Sequence, residues 1–490
     1  MNTMLDDTIA AIATPLGEGG LAVIRISGPQ ALAMADRCFV AAGSGSLKPS
    51  VAPTHTIQFG HVVSHGQNLD EVLLSVMRAP RTFTREDVVE ITCHGGLLPA
   101  KLVLDAVLAN GARLAEPGEF TRRAFLNGRI DLAQAEAVAD LIHSRTELAL
   151  RAANEQLAGK LSERVNQLRD EMLKTLAHVE AHLDFPEEDL ALDTRAQLDA
   201  RLEAGIALMD DLLRTAGEGQ ILRRGIRVAI IGRPNAGKSS LLNQLLGHDR
   251  AIVSAIPGTT RDTIEETANI RGLPIVFIDT AGLREIPGAP ASLSAYSLTL
   301  GLARQEAGEA GDAIEAEGIR RTRQTVQRAE IVLHVFDASE PLTEADQRYL
   351  TEFAGKKRIL VRNKTDLPRR LELAPLSHWT SEPCASPMVE VCCLNGQGIE
   401  ALKDVLKELA WSGEIKSEML QVMINSRHKD ALNRARAATL RTLEALRALV
   451  GLELVAMELR IAVNAIGEIV GKTTTEDLLD SIFSQFCIGK

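Results

Sequence analysis

Eight residues, Gly232-Arg-Pro-Asn-Ala-Gly-Lys-Ser239, have the spacing G-x-x-x-x-G-K-S. Glycines so placed let backbone N–H groups curl round an anion. A lysine there can neutralise β- and γ-phosphates, and the next hydroxyl is placed to ligate Mg²⁺. Three more groups follow in the order a guanine-nucleotide domain requires. Pro257-Gly-Thr-Thr-Arg-Asp262 supplies a threonine pair, of which Thr260 can reach the metal. Asp279-Thr-Ala-Gly282 supplies a carboxylate for Mg²⁺ and a glycine that can sense the γ-phosphate. Asn363-Lys-Thr-Asp366 ends in a carboxylate able to accept from guanine N1–H and the 2-amino group. Adenine lacks that donor pair, and buried polar groups left unpaired reject the wrong base strongly. The set reads as a GTPase, not an ATPase.

The expected GTP contacts are Asn235, Ala236, Gly237, Lys238, Ser239 and Ser240, then Ser254, Ala255, Ile256, Pro257, Gly258, Thr259 and Thr260. Asp279, Thr280, Ala281, Gly282, Asn363, Lys364, Thr365 and Asp366 complete them. Leu283 stands where Ras-type enzymes carry a water-orienting glutamine, and it can neither donate nor accept. Transition-state charge must then be met in another way. The Asn235 amide oxygen could hold a cation against the phosphates, although an asparagine here is also an ordinary turn residue.

These groups need strands to deliver them. Ile226–Ile231 before the glycine loop, Ile275–Ile278 before Asp279 and Ile359–Val361 before Asn363 read as buried strands. A helix over Ser240–Leu246, a last strand over Met388–Cys393 and a helix from Ile399 to about Trp411 complete a doubly wound sheet. Before it, residues 1 to 121 alternate short β-like runs with turns, among them Leu21–Ile26 and Asp87–Thr92, then a helix to about Asn110. Arg25 and Glu90 sit inside those strands, and solvent-facing positions would account for them. From Phe120 the texture is helical. Apolar or near-apolar positions 157, 161, 165, 168, 172, 176, 179 and 183 average near 3.7 residues per turn, which predicts one long, nearly straight helix ended by Pro186. A helix over Asp193–Leu213 and a linker at Gly217-Glu-Gly219 follow. Helical texture resumes at Val422, and Thr474 with Asp477 suggests a capping box for the final helix.

A chain of 490 residues is too long for one core, so about three domains are expected. The net charge of −11, with no dense Lys/Arg block, argues against nucleic-acid binding through bulk charge but leaves room for a local basic face. Six cysteines without C-x-x-C spacing suit a reduced compartment. There is no basic leader and no apolar run of about 18 residues, so a cytoplasmic protein without membrane association is expected.

With these motifs on the page, the chain resembles the MnmE (TrmE) family of tRNA-modification GTPases over nearly its whole length. Beyond the GTPase motifs, the resemblance rests on Arg25-Ile-Ser-Gly28, Asp87-Val-Val-Glu90 with His94-Gly-Gly96, Pro117-Gly-Glu-Phe120, Arg123-Ala-Phe-Leu-Asn127 and Cys487-Ile-Gly-Lys490. It implies a multidomain α/β and all-α protein. Residues 1–121 would form an αβ tetrahydrofolate-binding and dimerisation domain, 122–220 and 413–490 two parts of a helical domain, and 221–412 an inserted Ras-like P-loop G domain. The implied activity is potassium-dependent GTP hydrolysis by a homodimer. The homodimer joins an FAD-dependent MnmG-type partner in a heterotetramer that adds a carboxymethylaminomethyl-type group at C5 of the wobble uridine of certain tRNAs.

By motif position, Asn235, Ser254, Ile256 and Thr259 would bind K⁺, and Ser239 and Thr260 Mg²⁺. Arg25, Glu90, Arg129 and Lys490 would contact a 5-formyl or 5,10-methylene tetrahydrofolate, and Cys487 would be catalytic. Glu315 would orient the attacking water, with Glu317 the alternative because the segment from Gly282 to Glu315 is longer than the family pattern. Two further departures are Arg129 in place of a lysine, and Cys392-Cys393 in place of Ser-Ala beside the base. A ribosome-assembly GTPase of the Era/Der type shares the loop asparagine and threonine pair, but lacks the long N-terminal αβ region and the Cys-Ile-Gly-Lys end.

Overall fold

The chain divides into two units, each with its own principal hydrophobic core. The computed structural model describes residues 6–43, 47–184, 192–247, 265–278, 320, 323–372, 386–411 and 417–490. One unit takes in Met1–Ile142, Ala153–Arg214 and Ile424–Lys490, and the other His143–Ala152 and Thr215–Met423.

The first unit opens with seven strands: β1 Ile9–Ile12, β2 Leu21–Ser27, β3 Phe39–Ala41, β4 Thr56–Ser64, β5 Gln67–Met77, β6 Val88–His94 and β7 Arg113–Leu114. They pair in the order β3-β4-β5-β6-β2-β1-β7, antiparallel except for β1 with β7. Period-2 alternation in β2 buries Ile24 and Ile26 in a core shared with helices α1 (Ala31–Cys38) and α2 (Leu97–Ala109). The same alternation turns Arg25 to the other face, directly opposite Glu90 of β6.

Helices follow: α3 Glu119–Leu126, α4 Leu132–His143, α5 Glu147–Leu157, α6 Lys160–Asp184 and α7 Leu192–Arg214. The expected stripe is real from Leu161 onward. Leu161, Val165, Leu168, Met172, Leu176 and Val179 are buried, each contributing about 1.5–3 kcal/mol on full burial. Position 157 belongs to α5 instead, because Gly159 at φ +90° breaks the helix before Lys160.

The second unit contains α8 Ala216–Arg224, β8 Ile226–Ile231, α9 Lys238–Leu246, β9 Glu266–Ile270, β10 Leu273–Phe277, β11 Ile331–Asp337, α10 Glu344–Glu352, β12 Lys357–Asn363, β13 Met388–Glu390, α11 Ile399–Ala410 and α12 Ser417–Gln421. Its sheet runs β13-β12-β11-β8-β10-β9, parallel throughout except at β10–β9. β13 stops short of the expected strand, and Cys392 forms an isolated bridge with Gln397. Gly217 and Gly219, expected as a linker, lie within α8. Burial of Ala216, Gly219 and Leu222 on this helix outweighs roughly 1 kcal/mol of helix penalty per glycine.

Helices α13 Ser426–Arg447, α14 Leu452–Val470 and α15 Glu476–Phe483 return to the first unit. The α15 cap is Thr475, whose side chain accepts from Leu478 N–H, so the expected cap at Thr474 is one residue early. No helix among the described residues is long and apolar enough to cross a membrane.

Candidate functional site

In the second unit, buried β8 delivers the chain to Gly232, where a Cβ would stand 2.3 Å from the Val335 carbonyl of β11. Asn235 (φ +62°) and Gly237 (φ +93°) then turn the loop through left-handed conformations. A Cβ at Gly237 would lie 2.1 Å from Asn363 Nδ2. Asn363 also donates to the Ala236 carbonyl (2.9 Å) and accepts from Cys393 N–H (3.2 Å), and it is 2 % exposed. Its amide therefore ties the glycine loop to the end of β12 and to the turn beyond β13.

Lys238 Nζ donates to the carbonyls of Gly232 (2.9 Å) and Arg233 (2.7 Å), and burial lowers its pKa. Ser239 and Ser240 occupy the first turn of α9, whose N–H groups are available to an anion. Lys364, at φ +61°, pairs with Asp337 at 2.6 Å. Burial alone would raise the Asp337 carboxyl, but Lys364 and Ser339 outweigh it and hold it low. The Thr365 hydroxyl donates to the Val391 carbonyl at 3.2 Å. Asp366 is exposed and takes a thiol hydrogen bond from Cys392 at 3.1 Å, so the cysteine supplies a donor of the kind the serine expected there would give. Asp337 was not singled out in the sequence. Its position at the end of β11, next to the strand carrying Asn363, was the available signal. Ser254, Ala255, Ile256, Pro257, Gly258, Thr259, Thr260, Asp279, Thr280, Ala281, Gly282, Glu315 and Glu317 lie outside the described residues.

In the first unit, Arg25 and Glu90 are not free solvent-facing charges. Their side chains are 18 % and 28 % exposed and form an ion pair at 2.8 Å. Arg25 Nη1 also donates to the Gly489 carbonyl at 3.2 Å, and its guanidinium lies 5.6 Å from the centre of the Phe120 ring. Gly489, at φ +94°, packs against β1 so closely that a Cβ would sit 2.5 Å from the Ile12 carbonyl. The Cys487–Lys490 tail is thereby seated on the sheet. Burial, then the Arg25 charge, lowers the Lys490 ammonium, while Glu90 opposes them. Cys487 is exposed. Arg129 donates to the Thr82 carbonyl and lies 5.4 Å from the centre of the Phe83 ring, which packs on the small core containing Phe120.

Other residues in the resemblance motifs serve the frame of this site. Arg123, 1 % exposed, is held by Asp7, Glu86 and Glu119, and Arg113 joins Asp7 and Glu119. Gly118, at φ +67°, lets the end of α15 approach, since a Cβ would meet the Phe483 carbonyl at 2.6 Å. The structure brings Arg25 and Glu90 together, holds Arg25 against the Gly489 carbonyl next to Lys490, and places Arg129 on the neighbouring aromatic.

Two family models match the chain: the GTP-binding protein TrmE N-terminus over residues 8–129, and the MnmE helical domain over residues 132–487. The tRNA modification GTPase MnmE of Geobacillus kaustophilus is 46 % identical over 487 residues, covering 99 % of each chain. The MnmE of Bacillus subtilis is 42 % identical over 487 residues, covering 99 % of this chain and 100 % of its own. Alike from end to end to these enzymes, the chain belongs to the MnmE family of tRNA modification GTPases.

Proposed function

We propose that this GTPase is potassium-activated and acts as a homodimer with an FAD-dependent MnmG-type partner in the cytoplasm. The assembly adds a carboxymethylaminomethyl-type group at C5 of uridine 34 in certain tRNAs, using a tetrahydrofolate one-carbon unit. The observation that carries the reading is the Cys487–Lys490 tail seated on the Arg25–Glu90 pair. A pterin presents an adjacent amide N–H and amino group, and its glutamyl tail carries carboxylates. Glu90 offers acceptor oxygens to the first, while Arg25, Lys490 and Arg129 offer cations to the second. Cys487, exposed on the same tail, is assigned the catalytic role there.

In the G domain of 221–412, Asp366 reads the base and the loop from Asn235 to Ser240 holds the phosphates. Ser239 and Thr260 would hold Mg²⁺; Asn235, Ser254, Ile256 and Thr259 would hold K⁺. All six offer oxygen donors, which suit hard cations. When bound, these ions supply positive charge to the transferring phosphoryl group. Ser239 and Asn235, the two ligands within the described residues, both sit on the loop that carries Lys238. Glu315 would orient the water, since Leu283 cannot.

The deciding measurement is mass spectrometry of wobble nucleosides from cells lacking the protein. Aminomethyl-type uridines should vanish, return with the wild-type chain and stay absent with Lys490→Ala. Unchanged nucleosides in the deletion would overturn the reading.

A further inference from the structure

We propose that an arginine-lined cavity in the second unit is an RNA-phosphate site, holding tRNA backbone at the end of the sheet away from the nucleotide loop. This rests on the tRNA-modifying reading above and adds to it where the RNA is held. The cavity measures about 790 Å³ and is lined by His143, Arg145, Arg223, Arg224, Arg227 and Arg328. These residues come from the α4–α5 junction, the C-terminal turn of α8, the start of β8 and the helical residues before β11.

Two carboxylates also line the cavity, and both are engaged. Glu265 pairs with Arg227 at 3.4 Å, and Glu330 accepts the Arg227 backbone N–H at 3.0 Å. Five guanidiniums against two carboxylates leave a local surplus of positive charge in a chain whose net charge is −11. Arg223 and Arg224 could simply complement the carbonyl end of α8. That explanation does not reach Arg145, Arg227 or Arg328, which converge from other elements.

Guanidiniums present forked donors that match phosphate oxygens in pairs. The floor of the cavity is firm: a Cβ at Gly225 would meet Val276 Cγ2 at 2.7 Å and the Pro274 carbonyl at 2.8 Å. The volume lies in the range of a drug-sized ligand, so more than one phosphodiester fits. The cavity takes in the first residues of β8, and the phosphate loop follows its last. A strand of this length separates them by roughly 15–20 Å, so RNA and GTP can be held together without sharing a site.

The test uses the full chain and a fluorescent transcript of a tRNA with uridine at position 34, titrated by anisotropy between about 50 and 200 mM KCl. Arg224→Glu with Arg328→Glu should weaken binding about 10- to 100-fold and lower the log–log salt slope by about 2, with GTP hydrolysis unchanged. The paired Arg→Lys variants should keep the slope. Unaltered affinity and slope in the Glu variant, with wild-type binding intact, would overturn the cavity assignment alone. Failure of the wild-type chain to bind the transcript would overturn the tRNA reading beneath it as well. Displacement of the transcript by tripolyphosphate at its own lower Kd would reassign the cavity to a free polyanion. Displacement by poly-glutamate as effective as by tRNA would reassign it to an acidic protein. Either of those results overturns the proposal.

Discussion

At the scale of single residues, the Gly232–Ser239 and Asn363–Asp366 motifs could be read because each is contiguous and its chemistry is local. What the sequence could not show is which members touch ligand and which touch one another. Asn363, expected among the GTP contacts, also joins Ala236 and Cys393 through its amide and so fixes the loop and strand together. Asp366, exposed at the end of the motif, is the residue proposed above to read the base. Asp366→Asn should weaken GTP binding by roughly 100-fold and favour XTP, because an amide matches the C2 carbonyl of xanthine. Competition between GTP and XTP decides this, and an unchanged preference for GTP would exclude the role. Hydrolysis should run roughly 10- to 100-fold faster in potassium than in sodium at equal ionic strength, with Asn235→Ala abolishing the difference. Equal turnover in the two salts would remove the cation from the mechanism. Glu119 and Arg123 show the opposite limit. They sat in a family motif, yet they are buried and paired with each other, which a sequence motif alone does not reveal.

At the scale of elements, strands and helices with a strong period were found within a residue or two, as for β2, β8, α11 and α6 beyond Leu161. The misses share a cause: local propensity was outvoted by packing. Gly217 and Gly219 looked like a hinge, but α8 buries one side of itself. Three consecutive threonines at 473–475 offered several caps, and only the fold chose Thr475. A pairing between distant helices was equally hidden. Glu136 of α4 is bound by Arg427 at 2.8 Å and His428 at 2.7 Å of α13. Burial would raise this carboxyl, but His428 and Arg427 hold it well below the usual range. A depressed folded-state pKa stabilises above the unfolded value, about 4.3, and the contribution fades as the pH drops from there toward the folded value. Removing one member of a buried pair costs about 3–5 kcal/mol, so Glu136→Ala should lose about that much at pH 7 and much less near pH 3. Urea unfolding of both proteins at the two pH values measures it. Equal losses at both would show that packing, not charge, is at stake.

At the scale of the molecule, the 215–423 part of the second unit is an insertion whose ends meet. Thr215 Oγ1 donates to the Val422 carbonyl at 3.0 Å, joining the first residue of the 215–423 segment to its last but one. Helices α7 and α13, which flank those junctions, pack on each other within the first unit. Replacing 216–422 by a short Gly/Ser linker should therefore leave a folded first unit that has lost GTP binding but retains the tail on Arg25. Circular dichroism with folate titration checks this, and an unfolded product would show that the first unit cannot stand without its guest. Residues 143–152 make the experiment demanding, because Ala149 and Ala152 of α5 belong to the core of the second unit and would be uncovered.

The meeting of those ends also sets an order of events on the ribosome. Leu198, Leu202, Met209 and Leu212 of α7 are buried in the finished protein, and the α13 helix that packs on α7 is encoded about two hundred codons later. At about 5–20 residues per second, the nascent α7, already able to pack on α6, waits roughly ten to forty seconds for its α13 partner, while the 215–423 segment emerges and can fold first. Slow codons placed within the inserted unit would lengthen that wait, and slow codons placed after α13 would not.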